Sequence, residues 1–381
     1  MDFTLSEREL QVQSLARDFA VKEIAPNISK YDDSQEFPFE IVNKMAELGF
    51  LGIIFPEEYG GSGFSMLEYI LIIEEISKVD PSIGLTVAAH NGLCTNHIFR
   101  FGNDFQKQKY LPDLTSGKKL GAWGLTENVS GSDAASMQSR AERKDGYYLL
   151  NGSKTFITHG GVGLTAVVLA VTDKEKKEIS AFILEKGIEG FTTGRKENKL
   201  GMRSSDTTEL IFDNVKVPAE NLIGEEGQGF KQALQILDSG RIAIAALSLG
   251  IAEGALEASV KYAKQRVQFG RPISEYQGIQ FKISDMQTDV DAAKLLIYRA
   301  ASDKDSGEDI SLKASYAKYF AGEIASRAAS EAVQIHGGYG FIKEFFVEKL
   351  YRDVKLMTIG EGTSEVQKII IARNILKLFE T

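Results

Sequence analysis

Asp145-Gly146-Tyr147-Tyr148-Leu149-Leu150-Asn151-Gly152-Ser153-Lys154-Thr155-Phe156-Ile157-Thr158 decides the fold class. Two short runs rich in aromatic and β-branched residues, 146–150 and 154–158, come with Asp-Gly and Asn-Gly, dipeptides that close tight hairpins. Runs of the same kind recur at 120–126, 166–172, 179–184 and 209–212. Strands at such short spacing predict a small antiparallel barrel or sandwich.

Outward from this block the pattern is helical on both sides. Before residue 120, Ser6-x-x-Glu9 has capping-box spacing, and Leu10, Leu15, Phe19 and Ile24 recur near helical spacing until Pro26 stops the run. A second helix follows Pro38, with Ile41, Val42, Met45 and Leu48, and ends at Gly49. A loop at 56–63 leads to helices at 66–79 and 105–114. From about Gly229 to the end, long helices are punctuated by Gly270-Arg271-Pro272, Ser306-Gly307 and Gly337-Gly338, which suits an antiparallel bundle. The expected architecture is a multidomain α+β chain: an N-terminal helical domain at 1–120, a middle antiparallel β-barrel at 121–228 and a C-terminal four-helix bundle at 229–381.

Composition narrows the function. The chain has 381 residues, 43% hydrophobic and 25% charged, enough to bury a substantial core. Forty-four basic against 53 acidic residues leave a net charge of −9, which argues against a nucleic-acid or anionic-membrane binder. The single Cys94 excludes an internal disulfide and a cysteine-rich metal site, and fits the reducing cytoplasm. Met1-Asp2-Phe3-Thr4 shows no targeting signal. The longest apolar run, 242–252, is broken by Ser248 and too short for a bilayer, so no membrane helix is expected.

The candidate chemistry lies near the C-terminus, in Thr358-Ile359-Gly360-Glu361-Gly362-Thr363-Ser364-Glu365-Val366-Gln367. Glu361 stands between two glycines that let a ligand approach closely. Ser364-x-x-Gln367 has capping-box spacing, and Ile369, Ile370, Ile371, Ile375 and Leu376 read as a buried helix face. Alone, an acid before a helix only complements its dipole. Elsewhere, Gly161-Val162-Gly163-Leu164-Thr165-Ala166 matches a dinucleotide fingerprint, but residues 167–171 continue as a strand, so it reads as a turn. His90, His97, His159 and His336 share no metal-ligand spacing, and packing is the expected role of His90 and His97. Asp238-x-x-Arg241 could be an intrahelical pair. No nucleophile elbow and no Cys/His pair is seen. A general base remains, and Glu361 is the candidate.

Thr126-Glu127 with Gly131-Ser132-Asp133, Phe156-Ile157-Thr158, Arg266-Val267-Gln268-Phe269-Gly270, Gln334-Ile335-His336-Gly337-Gly338 and Glu361-Gly362-Thr363-Ser364 resemble, in order and separation, the acyl-CoA dehydrogenases. The resemblance runs over essentially the whole chain, α/β/α layout included. It implies an FAD enzyme, usually a homotetramer, that takes a proton from Cα and a hydride from Cβ of an acyl-CoA and passes electrons to an electron-transfer flavoprotein. It further implies that Trp123, Gly124, Leu125, Thr126 and Ser132, with Phe156, Ile157 and Thr158, hold the flavin. Arg266, Phe269, Gln277, Gln334, Ile335, His336, Gly337 and Gly338 would bind the rest of FAD, partly across a subunit interface, and Thr363, Ser364 and Glu365 line its site. Ser132, Asp238, Arg241 and Gly362 match acyl-CoA contacts, and Glu361 matches the base, with a pKa that burial should raise toward neutrality.

Two positions depart from the family pattern. Asn128-Val129-Ser130 stands where Pro-Gly-Ala is usual, and Gly360 where tyrosine is frequent. Some relatives carry the base on the Asp-x-x-Arg helix, but residues 237–245 contain no glutamate here, which favours Glu361. The sequence thus points to a short- or medium-chain acyl-CoA, straight or branched, as substrate. The alternatives are an enoyl-CoA reductase, an oxygen-using oxidase on the same fold, which is typically longer, and a flavin-bearing DNA-binding relative, which carries a basic extension.

Overall fold

The computed structural model describes residues 4–378; residues 1–3 and 379–381, which take in most of the 1–4 stretch and Thr381, lie outside the described residues. Helices α1 (Glu7–Phe19), α2 (Ile28–Ser34), α3 (Phe39–Glu47), α4 (Met66–Val79), α5 (Pro81–Ala89), α6 (Asn96–Phe101) and α7 (Asp104–Thr115) come first. Ser6 and Glu9 form the expected capping box, and Ser65 with Glu68 forms another at the start of α4. Helix α1 turns Val12, Ala16 and Phe19 inward, while Leu10 and Leu15 are exposed, so the expected helix presents a different face. Pro26 does not stop the chain. A π turn (Ala20–Ile24) and a 3-10 turn (Ala25–Asn27) lead straight into α2, since proline opening a turn removes no needed donor. A second π turn, His90–Thr95, joins α5 to α6.

Strands β1 (Gly121–Gly124), β2 (Arg140–Arg143), β3 (Tyr147–Thr158), β4 (Thr165–Asp173), β5 (Glu178–Glu185), β6 (Phe191–Thr193) and β7 (Thr207–Pro218) form one sheet, ordered β1-β4-β2-β3-β7-β6 with β5 also on β4. Most pairings are antiparallel, but β1 and β2 run parallel to β4, so the sheet is mixed. Asp145-Gly146 makes the expected turn from β2 to β3, with Gly146 at φ +80°. Asn151-Gly152 makes none, because β3 runs through it with a register shift against β7. A Cβ on Gly152 would sit 2.7 Å from the Ser139 backbone, so this glycine serves a close strand approach. A second shift, between Lys154 and Ile157, marks a bulge.

Helix α8 (Gly229–Gln265), the ribbon β8 (Val267–Gln268) and β9 (Arg271–Pro272), α9 (Gln277–Asp305), α10 (Ser311–His336), α11 (Val347–Asp353) and α12 (Ser364–Leu378) complete the chain. Helix α8 is long and apolar enough to cross a membrane, which the run at 242–252 alone did not indicate, but its apolar stretch lies inside the protein as a core helix. Cβ atoms on Gly250 and Gly254 would come 2.5 and 2.6 Å from carbonyls of Glu74 and Lys78, so α8 and α4 meet backbone to backbone. Helix α12 corrects two expectations. Thr363, not Ser364, caps it, accepting from the Val366 N–H, while the Ser364 hydroxyl donates to Glu323 on α10. Its apolar face is not buried within the chain either: Ile369 and Leu376 are 49% and 66% exposed.

Candidate active site

Glu361 lies on the turn between a 3-10 segment (Val354–Thr358) and α12. Its φ is +52°, a left-handed conformation that costs a non-glycine residue energy and persists only where surroundings impose it. Gly362 follows at φ +96°. The Gly362 carbonyl accepts from Lys318 Nζ on α10 (2.5 Å) and from Gln367 Nε2 on α12 (3.1 Å). Two helices therefore hold the turn from behind. In front, a Cβ on Gly240 of α8 would collide with Glu361 Oε2, so the carboxylate rests on bare α8 backbone.

Glu361 as a residue is half-buried, yet its Oε2 is shut off from solvent and has no hydrogen-bond partner among the described residues. Burial pushes its carboxyl up to about 7, against the opposing pull of Lys318 and Arg241. Arg241 is itself 5% exposed and pairs with Asp238 at 2.5 Å, so the intrahelical pair expected from sequence forms and lies beside the base. The Asp238 carboxyl also accepts from Ser311 (3.3 Å) and is held above its ordinary value, mainly by burial. Such a cluster of perturbed groups around an unpartnered carboxylate marks a candidate catalytic centre.

Leu93, on the second π turn, links this centre to the sheet. Its Cδ2 lies 3.5 Å from a Cβ position on Gly240, and it packs on the cluster holding Trp123 and Leu125. Strand β1 is braced by three buried histidines. Trp123 Nε1–H donates to His97 Nδ1 (3.0 Å), and His97 Nε2–H donates to Gln232 (3.0 Å). His90 Nδ1 accepts the Gly121 N–H, while His159 Nδ1–H donates to the Gly121 carbonyl, each at 3.1 Å. Burial lowers all three to about 4, so they are neutral, and packing is indeed the role of His90 and His97.

The Thr155 N–H donates to the Thr126 carbonyl (2.8 Å), bringing the β3 bulge against the exit of β1. Trp123 to Thr126 and Phe156 to Thr158 thus form one lip. Phe156 sits at φ +60° on the bulge and is 66% exposed, a large aromatic face turned outward by local backbone distortion. Beneath the lip, fully buried Lys154 donates to Glu127 (2.6 Å) and to the Leu125 carbonyl (3.1 Å). Asn128 and Val129, where the sequence departs from the family pattern, form a tight turn closed by reciprocal Glu127–Ser130 backbone bonds. Ser132 is exposed on the same loop.

A second station lies at the far end of α8. Arg266, Ile335, His336, Gly337 and Gly338 line a cleft of about 480 Å³ with Tyr262 and Tyr339. Open space surrounds the Cβ positions of both glycines, and Arg266 lies over the Tyr339 ring. A cation beside bare backbone fits a phosphate-bearing group. Gln334, Gln277 and Glu365 are exposed and Phe269 is 96% exposed; Gln334 and Phe269 directly neighbour the cleft residues Ile335 and Gln268 in the chain. Gly240 and Arg266 are 26 residues apart on and just beyond α8, roughly 39 Å at 1.5 Å per residue. Sequence reasoning missed Gly240, Lys318, Leu93 and Lys154; only Lys154 left a signal, a lysine sharing the inward parity of Tyr148 and Leu150.

Family models described as acyl-CoA dehydrogenase N-terminal, middle and C-terminal domains match residues 6–118, 122–215 and 227–376. An acyl-CoA dehydrogenase of Bacillus subtilis is 50% identical over 98% of this chain and 99% of its own. Butyryl-CoA dehydrogenase of Megasphaera elsdenii superposes with a TM-score of 0.97 at 46% identity, over 99% of this chain and 100% of that one. A chain from a structure of the electron transferring flavoprotein of Acidaminococcus fermentans, described in terms of flavin-based electron bifurcation, superposes at 0.98 with 48% identity, covering 99% and 100%.

Proposed function

This chain belongs to the acyl-CoA dehydrogenase family, and from that premise we propose that Glu361 is the base that opens α,β-dehydrogenation of a short acyl-CoA thioester. The enzyme is an FAD-dependent oxidoreductase acting on a CH–CH bond, with electrons leaving to an electron-transfer flavoprotein. The observation that carries the assignment is the buried, unpartnered Glu361 carboxylate, pushed up to about 7.

A thioester α-proton is weakly acidic, and a base is most effective when its pKa lies near the working pH. Burial gives Glu361 that match, and the bare backbone of Gly240 leaves no side chain competing for Oε2. Bound FAD supplies the hydride acceptor. The exposed Phe156 and the Trp123 to Thr126 strand exit suit the flavin ring, and Thr363 to Glu365 continue the chain from the base along the same site. Arg266, His336, Gly337 and Gly338 suit its phosphates. Gly240, the seat of Glu361, and Arg266 stand roughly 39 Å apart along α8, which favours a reading in which a second copy completes each site, in a homotetramer. Asp238 and Arg241, beside Glu361, suit the polar part of the thioester.

Anaerobic mixing of the yellow protein with acyl-CoAs of graded length and branching tests the function. Rapid bleaching of the flavin band by a short straight or branched member is expected. No bleaching by any, together with reoxidation of the reduced flavin by enoyl-CoAs, would replace dehydrogenation with reduction as the working direction.

A further inference from the structure

We propose that Lys318 is a positioning residue for the reaction: from α10 it anchors the Gly362 carbonyl, holds Glu361 in its left-handed turn and supplies the positive charge that keeps the base ionisable. The inference rests on the reading of Glu361 as the base.

A lysine 1% exposed in a helix interior is costly unless its charge is used. Among the described residues Lys318 has one hydrogen-bond partner, the main-chain carbonyl immediately after Glu361, at 2.5 Å. That carbonyl is shared with buried Gln367, and the two donors arrive from different helices. Rotation at residues 361 and 362, both at positive φ, would break one or both bonds. The strained turn that aims the carboxylate at Gly240 is therefore held by a clamp of which Lys318 is the charged half.

The charges around the pair fit this role. Glu361 is faced by Lys318 from α10, by Arg241 from α8 and by the Tyr69 hydroxyl from α4. Arg241 is already engaged by Asp238, which leaves Lys318 as the cation not committed to another carboxylate by hydrogen bond. Lys318 in turn faces Glu361 and Arg241 inside, and Glu323 and Glu365 toward the surface; burial brings it down to about 8 against those carboxylates. Its charge state and that of Glu361 are therefore coupled.

Two variants of the FAD-loaded enzyme separate clamp from charge. Lys318→Gln keeps a donor for Gly362 and removes the charge, while Lys318→Met removes both. In Lys318→Gln the acid limb of the flavin-reduction rate against pH should move up by about one unit, tenfold fewer competent molecules below the limb, with the plateau rate retained. Lys318→Met should show the same shift and a plateau at least about tenfold lower, and Lys318→Arg should restore the limb. Independently of turnover, the infrared carboxyl band assigned by its loss in Glu361→Gln should titrate at higher pH in both variants. If neither the limb nor the band moves in Lys318→Gln, the proposal falls, and that variant decides it even if Lys318→Met does not fold. Full reduction rates in Glu361→Gln would instead overturn the identity of the base itself, and this proposal with it.

Discussion

At Glu361 one residue combines strain, burial and the absence of a partner, and each has a measurable consequence. The Glu361→Gln variant should keep FAD and lose about 10²–10⁴-fold in flavin reduction, measured by stopped flow. The same change should stabilise the fold at high pH. A carboxyl raised to about 7 in the folded state and near 4.5 unfolded binds its proton more tightly when folded, so its contribution is present below pH 4.5 and lost as pH rises through 7. Glutamine removes that penalty, so urea unfolding above pH 7 should show a gain of up to about 3 kcal/mol, and none below pH 4.5. Gly240→Ala tests the seat of the carboxylate. Its added methyl collides with Oε2, so reduction should fall while the flavin spectrum and bound FAD stay unchanged. Unaltered rates would mean that the carboxylate works from another position.

At the level of elements, strand β1 depends on three neutral histidines from the His90–Thr95 π turn, α6 and the β3–β4 turn. Each is lowered to about 4, against about 6.5 when unfolded, so the unfolded chain takes up more protons between these values. The histidines' contribution to stability should be flat above pH 6.5 and fall as pH drops toward 4, a slope of up to about three protons. Urea midpoints from pH 7 to 4.5 measure it, and His97→Gln should reduce the slope by about one. Beneath the same lip, Lys154→Met leaves the Glu127 carboxylate buried without its cation. A loss of about 3–5 kcal/mol is expected, read by chemical unfolding, because a half-removed buried pair costs more than the pair contributes.

For the whole molecule, the separation of the two stations along α8 is the decisive distance. If one chain's Glu361 works on a cofactor held by another chain's Arg266, then Arg266→Glu and Glu361→Gln, each inactive alone, should regain part of the activity after co-refolding, since some mixed sites carry both native residues. Recovery in the mixture, measured by substrate-dependent bleaching, is the expected result. None would mean that both stations serve one chain separately.

Local chemistry was legible in the sequence wherever a short window contains it. Ser6 and Glu9 cap α1, Asp145-Gly146 turns a hairpin, Gly49 follows α3, and the ordered motifs around Thr126, Arg266, Gln334 and Glu361 identified the family and the candidate base. Those signals rest on backbone preferences and on spacing, which the chain carries before it folds. Tertiary structure decided the rest. Asn151-Gly152 lost its turn because Ser139 crosses it, the α12 cap moved to Thr363 because Glu323 claims Ser364, and α1 buried Val12 and Ala16 in place of Leu10 and Leu15. Gly240, Leu93, Lys318 and Glu361 come from distant parts of the chain, and no window shorter than the fold contains them together. Glu361 as a residue type was written in the sequence. Its pKa near 7, its strained turn and its bare seat on α8 come from burial and contact among distant segments, which only the packed molecule supplies.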